Sequence, residues 1–373
     1  MNAQVLPDED EGVPHPRKNS DLRGHDQAEK VLLDAFNSGR LAHAWLLCGP
    51  RGIGKATLAY RFARFLLAKG GEAPADNGLF GEELPKDDLS SLSVSIDDPV
   101  FHRIAAGAHA DLKVIERQFD EKKGKYKTEI VVDDVRSIGS FMSLSAAEGG
   151  WRVVIIDSAD EMNRNAANAV LKVLEEPPAK AILLLVSHNS GRLLPTIRSR
   201  CRKLTLSTLD EAVVTGLLSA QHPQMSPDDA GELARLAEGS IGRALDLEEE
   251  GGLELYRDIL ELLESLPRLD VAALHTLAGK LGRAGADMAF QTFADLLLGW
   301  LGRMILSVSR GDQGVGSPEQ LLNNRLGVSS SLASWLEVWD KINHLLARTD
   351  AINMDRRQMI ITIFLALEKA AQG

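Results

Sequence analysis

A chain of 373 residues, 44% hydrophobic and 25% charged, has the make-up of an ordinary globular protein, and its length exceeds what one core usually supports, so two or three domains are expected. A formal net charge of −11 argues against wholesale coating of nucleic acid and leaves room only for a local basic patch. Two cysteines, Cys48 and Cys201, with no CxxC pair, argue against a disulfide framework and a structural zinc site. The sequence holds no run of about 18 uncharged apolar residues and no signal-peptide core near Met1, so a cytoplasmic location without membrane contact is expected.

Residues 1–20 read as a polar tail. The spacing of Val31, Leu32, Ala35 and Phe36 predicts a helix over 27–38 that stops at Gly39. "AHAWLLC" (42–48) reads as a strand, followed by a glycine-rich loop and a helix over 55–68. Residues 70–95, rich in Gly, Pro, Asp and Ser, read as an irregular insertion. Strands are expected at 111–117 and 128–132, flanking a solvated hairpin tip "QFDEKKGKYK", and a helix at 133–146 capped by Asp133 or Asp134. "RVVIID" (152–157) and "AILLLVS" (181–187) have the continuous apolar character of strands buried on both faces. Between them, "NRNAANAVLKVLEEPP" reads as a helix with Asn163 as cap and a double proline as terminator. A more amphipathic strand follows at 201–206, and beyond about residue 208 only helices are expected. Trp300, Trp335 and Trp339 recur at helical spacing and read as packing residues.

The chemistry concentrates in three places. "GPRGIGKAT" has the strand, loop and helix context of a phosphate-binding P-loop, in which backbone N–H groups at a helix N-terminus face phosphate. Gly49, Gly52 and Gly54 form the cradle and Lys55 reaches the terminal phosphates. The hydroxyl that completes a magnesium shell is replaced by Ala56, and Thr57, about 100° further round the helix, faces another part of the ligand. Asp157, at the end of a buried strand, is placed to hold the metal, but the water-activating carboxylate that usually follows is Ser158. In "TIRSRC", Arg200 reads as a surface residue or as an arginine finger for a neighbour's nucleotide.

"HAWLLCGPRGIGKATLA", "VVIIDSADEMNRNAANAVLKVLEEPP", "LLLVSHNSGRLLPTIRSRC" and the trailing helices together closely resemble the clamp-loader ATPase family. The resemblance implies an α/β P-loop AAA+ module with a parallel sheet over 21–208, a small helical lid over 209–250 and an all-α collar over 251–373 that joins subunits into a ring. It further implies a stator role: the chain does not hydrolyse ATP itself and lends Arg200 to the ATP site of an adjacent motor subunit. The alternative is an ATP-hydrolysing motor subunit of the gamma/tau type. The implied partners are gamma/tau-type motor subunits, a delta subunit, the sliding clamp indirectly, and primer-template DNA, for which Arg164 is the candidate contact.

Where this sequence departs from the family, the expectations narrow. The family's four-cysteine zinc module has no cysteine counterpart in residues 70–110, and His102 and His109 are too few to replace it, so no zinc is expected. "GSIGR" places Gly242 where motor subunits carry a nucleotide-contacting arginine and shifts Arg243 by one residue. The polar sensor position falls on Ser187 or Asn189. A weak or vestigial hold on ATP or ADP is therefore the expected remnant of the loop.

Overall fold

The computed structural model describes residues 15–69, 89–120, 125–148, 150–311, 318–352 and 355–372. The chain forms two compact units, one comprising residues 1–217 and 238–242, the other 218–237 and 243–373.

The first unit is built on a five-stranded, wholly parallel sheet. Its elements in chain order are α1 (Asp26–Asn37), β1 (Ala44–Cys48), α2 (Lys55–Lys69), α3 (Pro99–Ala105), β2 (Leu112–Ile115), β3 (Phe119–Asp120), β4 (Lys125–Tyr126), α4 (Val132–Val135), α5 (Ser137–Ser143), β5 (Arg152–Ile156), α6 (Arg164–Glu175), β6 (Ala181–Ser187), α7 (Pro195–Arg198) and β7 (Arg202–Thr205). The sheet order is β2-β5-β6-β1-β7. Strands β1, β5 and β6 are buried along their whole length, which is why their sequences read as unbroken apolar runs. Alternate residues feed two cores: Trp45, Leu47, Val153, Ile155 and Leu184 pack with α2, while Leu46, Val154, Ile156 and Leu185 pack with α5 and α6.

Several boundaries differ from expectation. The described end of the expected 1–20 tail is anchored, because Arg64 donates to the carbonyls of Arg17 (3.1 Å) and Asn19 (2.6 Å) and Arg61 to that of Ser20 (2.9 Å); residues 1–14 lie outside the described residues. Of the 70–95 insertion, residues 70–88 lie outside the described residues, and α3 follows with Asp98 accepting from the N–H of Val100. "TEIVV" is not a strand: only Ile130 bridges, in parallel, to Met162. The hairpin arms lie instead inside the charged stretch, as β3 and β4. The helix expected over 133–146 is broken at Arg136 into α4 and α5, and Asp134 serves α4 by accepting from the N–H of Val131 at 2.9 Å. Asn163 caps α6 as read, accepting from Ala166 at 2.9 Å.

Helices α8 (Glu211–Gln221) and α10 (Ile241–Glu249) run from one unit into the other, with α9 (Pro227–Leu236) between them in sequence. The second unit continues as α11 (Gly252–Glu264), α12 (Val271–Leu281), α13 (Asp287–Arg310), α14 (Pro318–Ser329), α15 (Leu332–Ile352) and α16 (Arg356–Ala371). By length and composition α13 passes for a membrane span, yet its Phe293, Leu297, Trp300, Leu301 and Met304 are buried within the unit, as in a core helix. Trp300 and Trp335 are fully buried, whereas Trp339 keeps 37% exposure. A buried polar cluster links three helices here: Glu319 accepts from the Tyr256 hydroxyl at 2.7 Å and pairs with Arg303 at 2.9 Å.

Candidate functional site

In a parallel sheet every strand ends on the same edge, and chemistry gathers at the carboxyl ends. Here β1 delivers the loop, β5 delivers Asp157 and Ser158, and β6 delivers Ser187 and His188 to that edge.

The loop adopts the conformation its glycines permit. Gly49, Gly52 and Gly54 have φ of 148°, 74° and 101°, and a Cβ at Gly49 would lie 2.5 Å from the carbonyl oxygen of Leu206. Lys55 begins α2 with 3% exposure, and its Nζ donates back to the carbonyl of Pro50. Burial lowers its pKa to about 8, against the opposing pull of Asp157 and Asp160. Thr57 is buried in the first turn of α2, with 8% exposure.

Beside the loop, Asp157 is half-buried and its N–H donates to Ile115 at 2.8 Å. Burial raises its carboxyl pKa, and Glu116, one residue beyond β2, adds to the rise. Ser158 sits in the left-handed region (φ 57°) and its Oγ lies 3.1 Å from His188 Nε2. Asp160 accepts from the N–H groups of both His188 (2.9 Å) and Asn189 (3.0 Å), so it serves as a backbone cap at the end of β6. His188 is the group the residue pattern did not mark. It stands between the two expected sensor candidates, and the side chain that meets Ser158 is its imidazole, whereas Ser187 Oγ is fully buried with no hydrogen-bond partner among the described residues. Burial first, and Lys55 second, lower the His188 pKa to about 4, so the ring is neutral at physiological pH.

The segment around Gly242 closes onto the loop backbone. The Ser240 hydroxyl donates to the Arg51 carbonyl (2.8 Å) and the Gly242 N–H to the Gly52 carbonyl (2.9 Å). A Cβ at position 242 would stand 2.8 Å from Gly52 Cα, so the contact requires glycine. Arg243 lies near Asp295, whose carboxyl it draws down against the burial that raises it.

Arg200 occupies the other edge of the sheet. Strand β7 pairs with β1 from Arg202↔Trp45 to Cys48↔Thr205, so a residue just before β7 is at least about 10 Å from the edge where the loop begins. Its guanidinium donates to the Thr196 carbonyl (3.0 Å) and pairs with Glu175 (3.0 Å), both sides of the pair being solvent-accessible at 37% and 52%. Arg164, the first residue of α6, is exposed and, with Arg192, rims a cavity of about 330 Å³ floored by Ala159, Met162, Ala167, Leu193 and Leu194.

A parallel sheet with a glycine cradle, a buried lysine at the start of the next helix and an aspartate at the end of the strand two places along the sheet is a P-loop nucleotide-binding module of the AAA+ type. The sequence model of the family described as "DNA polymerase III, delta subunit" matches residues 96–210. DNA polymerase III subunit delta' of Pseudomonas aeruginosa is 34% identical over 302 residues, covering 79% of this chain and 84% of that protein. Subunit delta' of Escherichia coli is 30% identical, covering 73% of each chain. Subunit tau of E. coli is 29% identical over 63% of this chain, which spans only 33% of tau. A solved gamma subunit-related protein of Thermotoga maritima aligns over 91% of this chain and 99% of its own, at 18% identity and a TM-score of 0.40. The chain belongs to the delta' family of DNA polymerase III subunits.

Proposed function

We propose that this chain works as the stator of a bacterial clamp loader: it assembles with gamma/tau-type motor subunits and a delta subunit in the cytoplasm and helps place the sliding clamp on primed DNA. Its residues divide the work of ATP hydrolysis unevenly. On its own nucleotide edge the metal hydroxyl is replaced by Ala56 and the general base by Ser158, whose hydroxyl is tied to His188. On the opposite edge, Arg200 is accessible and, among the described residues, held by an exposed ion pair and one carbonyl.

That position of Arg200 is the observation that carries the proposal. An arginine a strand length away from its own phosphate loop cannot stabilise charge there, whereas an exposed edge can meet a neighbour's nucleotide. Nucleotide, ATP or ADP, binds weakly: Gly49, Gly52 and Gly54 retain the cradle and Lys55 and Asp157 the charges, but Lys55 must leave the Pro50 carbonyl to reach phosphate. Thr57, buried in α2, contributes packing more than ligand contact. Primer-template DNA meets Arg164 at the N-terminus of α6, where a phosphate is favoured by the helix end.

The test is a loader reconstituted with the Arg200→Ala chain. Removing an arginine finger typically costs at least a hundredfold at the site served, so DNA-stimulated ATPase falls steeply while assembly persists. Unchanged ATPase in an intact complex defeats the finger assignment.

A further inference from the structure

The short hairpin β3–β4 belongs to no part of the nucleotide machinery, and its residues are unlike the rest of the chain. Between 117 and 127 five basic residues stand against two acidic ones, in a protein whose net charge is −11. The hairpin presents Tyr126 to solvent with 52% exposure, and holds the ring in place with Phe119, edge-on at 5.3 Å between centroids. The two residues are direct cross-strand partners, so the aromatic pair is set by register. Lys127 donates its Nζ to the neutral Gln118 side chain at 3.0 Å and forms no ion pair among the described residues.

Both legs of the hairpin are tied to the segment that leads into α6. Arg117 pairs with Glu161 at 2.7 Å, and Ile130 exchanges backbone hydrogen bonds with Glu161 (2.9 Å) and Asn163 (3.0 Å). Arg164 follows immediately. The hairpin is therefore anchored to the segment that leads into α6, and an exposed aromatic ring next in sequence to a cation is the pairing that single-stranded nucleic acid recognises: a phosphate meets the cation and a base stacks on the ring.

We propose that Tyr126, propped by Phe119, is a stacking contact for an unpaired base of a nucleic-acid strand whose backbone passes Arg164. The inference rests on the reading that the chain meets DNA at Arg164, and the two are tested separately.

The full-length chain is titrated into fluorescein-labelled oligothymidylate of about 20 nucleotides, and into a duplex of equal length, with anisotropy read over a series of salt concentrations from ~50 mM upward. Tyr126→Ser weakens oligothymidylate binding about tenfold, leaves duplex binding and the salt slope unchanged, and Tyr126→Phe restores affinity to within about twofold. Arg164→Ala weakens both ligands alike and lowers the salt slope by about one. Thermal melting of Tyr126→Ser matches the wild type, since the ring is exposed. Wild-type affinity of Tyr126→Ser beside a weakened Arg164→Ala overturns the hairpin contact and leaves the DNA reading standing. A loss confined to binding of motor subunits overturns it in favour of a protein contact. Absence of binding by the wild-type chain at the lowest salt overturns both.

Discussion

The two edges of the central sheet have opposite characters. At the carboxyl edge five groups around the loop are bonded from within the chain: Lys55 by Pro50, Ser158 by His188, Asp160 by the turn after β6, and the loop carbonyls of Arg51 and Gly52 by Ser240 and Gly242. At the amino edge, Arg200 is exposed and, among the described residues, bound by Glu175 and a carbonyl. A motor subunit needs the reverse at its loop, with polar groups held open for ligand. Under the proposed function the residues that would serve this chain's own nucleotide and the arginine that would serve a neighbour's lie a full strand apart, so either can change without disturbing the other.

The largest test of this contrast is Arg200→Ala. Hydrolysis at the one motor site that Arg200 serves is expected to fall at least a hundredfold, while the melting temperature of the isolated chain stays within a degree or so, because exposed ion pairs contribute little to stability. If stability fell and ATPase did not, Arg200 would be a structural residue and the two edges would not differ in kind.

Next in size is the closed edge itself. Gly49→Ala places a Cβ 2.5 Å from the Leu206 carbonyl in a backbone conformation that L-residues rarely adopt, and is expected to destabilise by about 3 kcal/mol or more in urea unfolding. Gly242→Ala meets Gly52 Cα at 2.8 Å and is expected to cost about 1–3 kcal/mol. A neutral Gly242→Ala would mean that the Gly242–Gly52 contact opens freely, and the loop would then be accessible to nucleotide.

A pH titration sharpens the same point. Lys55 has a folded pKa of about 8 against about 10.4 in the unfolded chain, so between those values the unfolded state holds more protons. Stability therefore rises as pH climbs from about 8 to about 10, by up to ~3 kcal/mol, relative to a Lys55→Met chain that lacks the titration. Parallel stability curves for the two proteins over this range would show that the ammonium is not desolvated in the folded loop.

Much of this was legible in the residue pattern, and the misses share a cause. Val153 to Ile156 and Ile182 to Val186 announce buried strands because both faces are covered, and Asn163 announces α6 because a cap acts over three residues. "TEIVV" carries the same β-branched signal. Ile130 does bury completely, but its neighbour is the irregular segment before α6, so it forms a single bridge where a strand was expected. The break at Arg136 and the cap from Asp134 depend on how the chain enters α4. At the site, the glycine spacing and the losses at Ala56 and Ser158 are local and visible. The Ser158 to His188 bond spans 30 residues and the Gly242 to Gly52 bond spans two distant segments, so neither has a local signature.

The smallest expected effect decides how deep the loss at the carboxyl edge goes. Ala56→Thr with Ser158→Glu returns the two groups that the sequence lacks, yet ATP turnover by the double variant is expected to remain at background. The new glutamate must take a left-handed backbone position that disfavours it, at a cost of about 1 kcal/mol, and displace His188 as partner. The threonine would meet a lysine still bonded to Pro50, and the Gly52 carbonyl would still be held by Gly242, at a position that carries no arginine for the nucleotide. Steady-state hydrolysis, measured with motor subunits inactivated so that only this loop can act, gives the answer. Turnover above background would mean that two side chains alone separate the quiet edge from an active one, and that the hydrogen bonds closing the loop yield readily to ligand.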